Sequence, residues 1–113
     1  MPQNPSSIEV KQEIVRVAQA ALSDDIDLFK GCELLNRLHR DLMGSHGHDP
    51  DFNIFIGIWS DTDQFAFGEE RKHWEPTALA ENDRKRKEFE DFHMKGFNES
   101  CKILISKFEK IAT

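Results

Sequence analysis

Apolar residues recur at helical spacing through most of this chain. Ile14, Val17, Ala18, Ala21 and Leu22 stand at i, i+3, i+4, i+7 and i+8, one stripe that predicts a first helix over about residues 7–22. Glu13 and Arg16 point away from it. Ser6, with Glu9 three positions on, fits a capping box in which each side chain satisfies the other's free backbone N–H. Ser23, Asp24 and Asp25 read as a break and a fresh N-cap. A second helix is expected over about 25–43, with Leu28, Cys32, Leu35, Leu38, His39 and Leu42 on its inner face. Gly31 interrupts that face at a cost of about 1 kcal/mol relative to alanine. A close helix–helix approach accounts for it better than a break. The short connection folds the two helices into an antiparallel hairpin.

Residues 44–50, GSHGHDP, form a loop. Residues 51–74 then hold both tryptophans and four of the nine phenylalanines, and the rest of the chain is organised around them. The run FNIFIGIW fits two patterns. As a strand, Phe52, Ile54, Ile56 and Ile58 share a face; as a helix, Phe52, Phe55, Ile56 and Trp59 share one, with Asp51 as cap. Periodicity does not choose between them. The isoleucines and Gly57 favour a strand paired with residues 64–67, but a lone hairpin is marginal unless it packs on helices. The helical surroundings favour a short helix. Residues 68–74 suit one or two helical turns.

Pro76 suits the first turn of a last helix over about 76–110. Its stripe is Leu79, Asp83, Arg86, Phe89, His93, Gly96 or Phe97, Cys101, Leu104 and Phe108. The first half of that stripe is poor in apolar residues, so it either projects into solvent or lies under the central stretch. Gly96 is a candidate kink. The fold class expected is mainly all-α: a small bundle of a helical hairpin, a compact aromatic central segment and a long C-terminal helix. The alternative is α+β with one β-hairpin at 54–67. Residues 1–5, with two prolines, are expected to be a flexible arm, and 6–113 a single helical domain. The expected core is Ile14, Val17, Leu28, Leu35, Leu38, Phe55, Trp74, Phe89, Phe97, Leu104 and Phe108.

Charge modifies this picture. The chain carries −6 overall, divided as −3 over residues 1–50, −4 over 51–75 and +1 over 76–113. An acidic surface argues against a nucleic-acid partner, which needs a cationic face, and permits steering toward a basic protein. No apolar run reaches the roughly 20 residues of a membrane span, and the N-terminus lacks a secretory pattern. Cys32 and Cys101 form neither a CxxC motif nor a disulfide framework. They read as reduced, buried thiols of a cytoplasmic protein.

A resemblance enters at the central stretch. Ser60, Thr62 and Asp63, then Gly68, Arg71 and Trp74, then Ala78, Leu79 and Asp83, and finally Cys101, Leu104, Ile105 and Phe108 match four short motifs. Over its C-terminal half the chain resembles a family of small uncharacterised bacterial proteins with a Ser-Glu-Thr-Asp … Gly-x-x-Arg-x-x-Trp signature. Asp61 stands where the family carries Glu, and Phe67 where it carries Pro. The resemblance implies a small, mainly helical bacterial protein and no particular activity.

Three constellations bear on chemistry. Ser60, Asp63, Arg71, Trp74 and Asp83 suit a structural polar network in which an arginine-paired carboxylate stays ionised. His46 and His48, beside Asp49 and Asp51, are candidate metal ligands on a glycine-rich loop, although no second ligand pair is visible. The basic run at 84–87 is surrounded by acids and reads as a solvated helix laced with i,i+4 pairs. Motifs for nucleophilic catalysis or phosphate binding are absent from the sequence. The expectation is therefore a non-enzymatic protein-binding domain without cofactor, in its most concrete form an acidic immunity- or antitoxin-like protein occluding a basic toxin. Its interface would use Asp49, Asp51, Trp59, Asp61, Asp63, Glu69 and Glu70, with aromatic burial and acidic steering combined. A metal- or small-molecule-binding domain and a homo-oligomer formed through the last helix, such as a homo-dimer, are the alternatives.

Overall fold

The computed structural model describes residues 7–44 and 46–112, with side chains through Lys110. The expected arm at 1–5 and the Ser6 half of the capping box lie outside the described residues. Four α-helices build the fold: α1 (Ser7–Leu22), α2 (Leu28–Met43), α3 (Asn53–Ser60) and α4 (Pro76–Ala112). Short 3-10 turns at Pro50–Phe52, Thr62–Gln64 and Gly68–His73 link them. Among the described residues there is no strand, so the β-hairpin alternative at 54–67 is not formed.

Local chemistry sets the element ends. α2 starts later than its pattern suggests, because Asp27 rather than Asp25 is its N-cap and accepts the Lys30 N–H at 2.7 Å. Asp24 instead takes a left-handed turn conformation at φ 59°. The Glu75 carboxylate receives the Thr77 and Ala78 N–H groups at the start of α4, which suits the positive end of a helix. α4 runs unbroken past Gly96. A Cβ there would lie 2.8 Å from Ile54 Cδ1, so this glycine serves the approach of α3 rather than a kink. Gly31 meets the same constraint, since its Cβ would stand 2.9 Å from the Phe97 ring.

α1 packs on α2 and α4, and α3 packs on the same two helices. The core joins Val10, Ile14, Val17, Ala18 and Ala21 of α1 to Leu28, Cys32 and Leu35 of α2 and to Phe97, Cys101, Leu104 and Phe108 of α4. The central segment adds Phe52, Phe55, Ile58 and Phe65. α3 and the 3-10 turn before it therefore bury positions 52, 55 and 58, whereas Ile56 and Trp59 face outward. The expected face containing those two is corrected by the position of α3 between two helices. Trp74 is also corrected: it is 36% exposed, outside the core.

Two aromatic clusters hold the segment down. Phe55 meets Phe97 edge-on at 5.5 Å, and Phe52 packs beside Phe55 and Phe108. Nearer the start of α4, Phe29, Phe65 and Phe89 meet at 5.2–6.1 Å, and Arg86 lies over the rings of Phe29 and Phe67. At Phe65 and Ala66, between two 3-10 turns, the chain is irregular yet buried, so its backbone needs side-chain partners. Asn82 provides them. Its Oδ1 accepts the Ala66 N–H at 2.8 Å and its Nδ2 donates to Gln64 O at 2.8 Å.

Asn82→Ala is expected to cost about 2–3 kcal/mol in denaturant unfolding, because it leaves the buried Ala66 N–H unmet. Gly31→Val is expected to cost about 1–3 kcal/mol by forcing Phe97 from its place. Wild-type stability in either variant would contradict the packing just described.

Candidate functional site

α2 and α3 lie side by side with a trough between them. α2 contributes Glu33, Asn36, Arg37 and Arg40 at i, i+3, i+4 and i+7, and α3 contributes Ile56, Trp59 and Ser60 at i, i+3 and i+4. With His39 these side chains line a cavity of about 550 Å³. Beyond Trp59 and Glu33, which border both, a second hollow of about 270 Å³ reaches Asp27, Phe29, Lys30, Thr62 and Phe67. Trp59 is 42% exposed at the junction because the other face of α3 is spent on the core. The end of α3 is tied by the Thr62 hydroxyl, which donates to Trp59 O, and by the Ser60 hydroxyl, which donates to Gly57 O.

The trough is polar along α2. Glu33 lies 3.4 Å from Lys30 and 3.8 Å from Arg37. Arg40 has no ion-pair partner among the described residues. One carboxylate thus stands against two guanidiniums in the larger cavity. Asn36 Nδ2 donates to Phe55 O at 3.0 Å, which fixes the amide orientation. Its Oδ1 is then buried with no hydrogen-bond partner among the described residues, a state that costs about 1–3 kcal/mol.

The seven residues expected at a partner interface differ in exposure and pairing. Asp49 is corrected, because it is buried; Lys107 Nζ lies 2.5 Å from Asp49 Oδ2 and 3.0 Å from Oδ2 of the half-exposed Asp51. Asp49 Oδ1 also caps the Asp51 N–H. Lys107 is more than fifty positions away in sequence, so no local pattern could have pointed to it. Glu69 pairs with Lys72 at 2.7 Å, and Glu70 accepts the Phe67 N–H. Asp61 and Asp63 are exposed and have no ion-pair partner among the described residues. They stand with Trp59 at the end of α3.

The polar network is likewise narrower than its expected members. Arg71 makes a two-pronged contact with Asp83 at 2.7 and 2.8 Å and donates to Ala66 O at 3.2 Å. These hydrogen bonds hold the Asp83 carboxyl below its ordinary range. Ser60, Asp63 and Trp74 are not among these contacts. Asn82, next in sequence to Asp83, is the member that sequence reasoning missed. A buried asparagine on an otherwise polar helix face carries no periodic signal.

His46 is exposed, and His48 Nε2 stands 2.6 Å from Asn53 Oδ1. No group of three metal-ligand side chains forms among the described residues. In the basic run at 84–87, Arg84 pairs with Glu81 and Glu88, Lys87 with Asp91, and Arg86 with the aromatic cluster. Burial pushes the Cys32 thiol up, and the Cys101 thiol up to about 12, so both are protonated near neutrality. No helix among the described residues is long and apolar enough to cross a membrane. The chain matches no family model, no curated protein and no solved structure.

The buried His39 responds to pH. His39 stacks on Phe52 at 4.6 Å, and its Nε2 accepts the Asp49 N–H at 3.0 Å, which places the ring proton on Nδ1. Burial and the edge-on His48 ring lower its pKa, against the opposing pull of Asp49. The unfolded chain therefore takes up a proton near 6.5 that the folded protein resists. This stabilising contribution is full above 6.5 and is lost as pH falls through the lower folded value. Unfolding free energy is expected to drop as pH falls below about 7, and to drop less in His39→Gln, which can accept the same N–H without titrating. Equal slopes in urea titrations of the two proteins would exclude this role for His39.

Proposed function

We propose that the protein is a non-enzymatic protein-binding domain, of the immunity or antitoxin kind, that occludes a basic partner. The observation that carries this reading is the exposed Trp59 indole beside Asp61 and Asp63, two carboxylates without an ion-pair partner among the described residues. No Lys or Arg occurs between residues 51 and 70, so nothing within this stretch offsets their charge. A large aromatic supplies buried contact area at an interface, while adjacent acids steer a cationic surface into place. Glu69 and Glu70 would extend the acidic edge at its rim; Asp49 and Asp51, neutralised by Lys107, would stabilise the domain itself. Two protonated, buried thiols suit a reducing, cytoplasmic setting, and a small helical bacterial protein is what the C-terminal half resembles.

Capture from the native host tests this reading. The wild type is expected to retain one basic protein at low salt and to release it as salt rises. The Asp61→Asn, Asp63→Asn double variant should lose affinity about tenfold and flatten the salt dependence, and Trp59→Ala should lose at least as much. If both variants retain the captured protein with wild-type affinity and salt response, the reading fails.

A homo-oligomer is favoured by a separate observation. Phe92 is 81% exposed on α4, and Ile103, eleven positions on and so close to the same face, is 49% exposed. If this face pairs two chains, sedimentation equilibrium is expected to give a dimer that Phe92→Glu returns to monomer. A monomer at all concentrations would eliminate it.

A further inference from the structure

The cavity between α2 and α3 has a chemistry opposite to that of the acidic edge beside it. In a chain of net charge −6, its wall carries two guanidiniums against one carboxylate. Glu33 is already shared between Lys30 and Arg37, which leaves Arg40 as the cation without an ion-pair partner among the described residues. Arg37 and Arg40 are three positions apart on α2, so their side chains leave the same helix face. Across from them stand Ile56 and the exposed Trp59 indole, a flat apolar wall. Asn36, also part of the lining, donates its Nδ2 to Phe55 O and so ties the α2 wall to α3. The volume of about 550 Å³ falls in the range of small-molecule sites, whose usual composition is an apolar body with a few converging polar groups.

We infer that this cavity binds a small planar aromatic acid. Its ring would lie on Trp59, and its anionic group would meet Arg40 and Arg37. A guanidinium matches the two oxygens of a carboxylate in one plane. The neutral, Nδ1-protonated His39 on the cavity wall adds no competing charge. The acidic edge and this site share only Trp59, so a ligand here would compete with a partner for the indole.

Anthranilate is a suitable probe, because it combines a flat ring with a carboxylate. 2-Aminobenzamide keeps the ring and lacks the charge, and inorganic phosphate lacks the ring. Nuclear magnetic resonance titration of the full chain reads the Trp59 indole N–H and the Arg40 side-chain N–H. Anthranilate is expected to shift both saturably. The amide should bind about tenfold more weakly, and Arg40→Gln should weaken anthranilate binding by about as much, as loss of a charge-assisted contact implies. Asp61→Asn, Asp63→Asn should bind anthranilate like the wild type, which separates this test from that of the protein-binding reading. Absence of a saturable shift overturns the inference. Equal binding of anthranilate and its amide also overturns it, as does phosphate matching anthranilate, since either result removes one half of the recognition. A short peptide with a free C-terminal carboxylate that binds more tightly than anthranilate would overturn the small-ligand assignment.

Discussion

The buried carboxamide of Asn82 is the contact on which the middle of this protein depends. A chain that passes between two helices without regular structure still has backbone donors and acceptors to satisfy. Gln64 O and the Ala66 N–H both find their partner in one side chain of α4. With those two groups met, Phe65 and Ala66 can be buried. Arg71 adds a second tie by bridging Ala66 O and Asp83. Arg86, one turn further along α4, lies over Phe29 and Phe67. The early half of α4 is thus held by polar contacts to the central segment, and its late half by an apolar stripe into the core.

This division explains the placement of the trough. α3 is short and is gripped from within by Phe52, Phe55 and Ile58, with Gly96 permitting its approach to α4. Such a grip leaves only one face of α3 free, and Trp59 lies on it. α2 likewise sends Cys32, Leu35 and His39 inward and Glu33, Arg37 and Arg40 along the trough. The surface chemistry of the site is what remains once the core has taken its share of each helix.

Charge is redistributed by the same folding. Asp49 and Asp51 become internal partners of Lys107, and Arg84, Arg86 and Lys87 of the basic run are taken up by neighbouring acids and by the aromatic cluster. Two small surfaces of opposite character remain close to one indole: the carboxylates of Asp61 and Asp63 on one side, and the guanidiniums of Arg37 and Arg40 on the other. The net charge of −6 describes neither of them.

The helices of this protein are legible in its sequence because helical spacing is a local property. The stripe Ile14, Val17, Ala18 and Ala21, and the C-terminal series Phe97, Cys101, Leu104 and Phe108, needed nothing but periodicity. Gly31 also announced a close approach, although not that Phe97 would be the side chain arriving there. Residues 52–67 were ambiguous because a short apolar run fits strand and helix alike. Their helical state follows from the two helices on either side. Trp59 was legible as an aromatic among acids, but its exposure was decided by which face of α3 the core required. Asn82, Lys107 and the pairing of Arg37 and Arg40 with Trp59 were not legible, since each depends on contacts between residues far apart in the chain. Sequence by itself determined the elements and most of the core. The tertiary structure decided which polar groups were used to hold them together and which were left to face a ligand, because that choice is made only when distant segments meet.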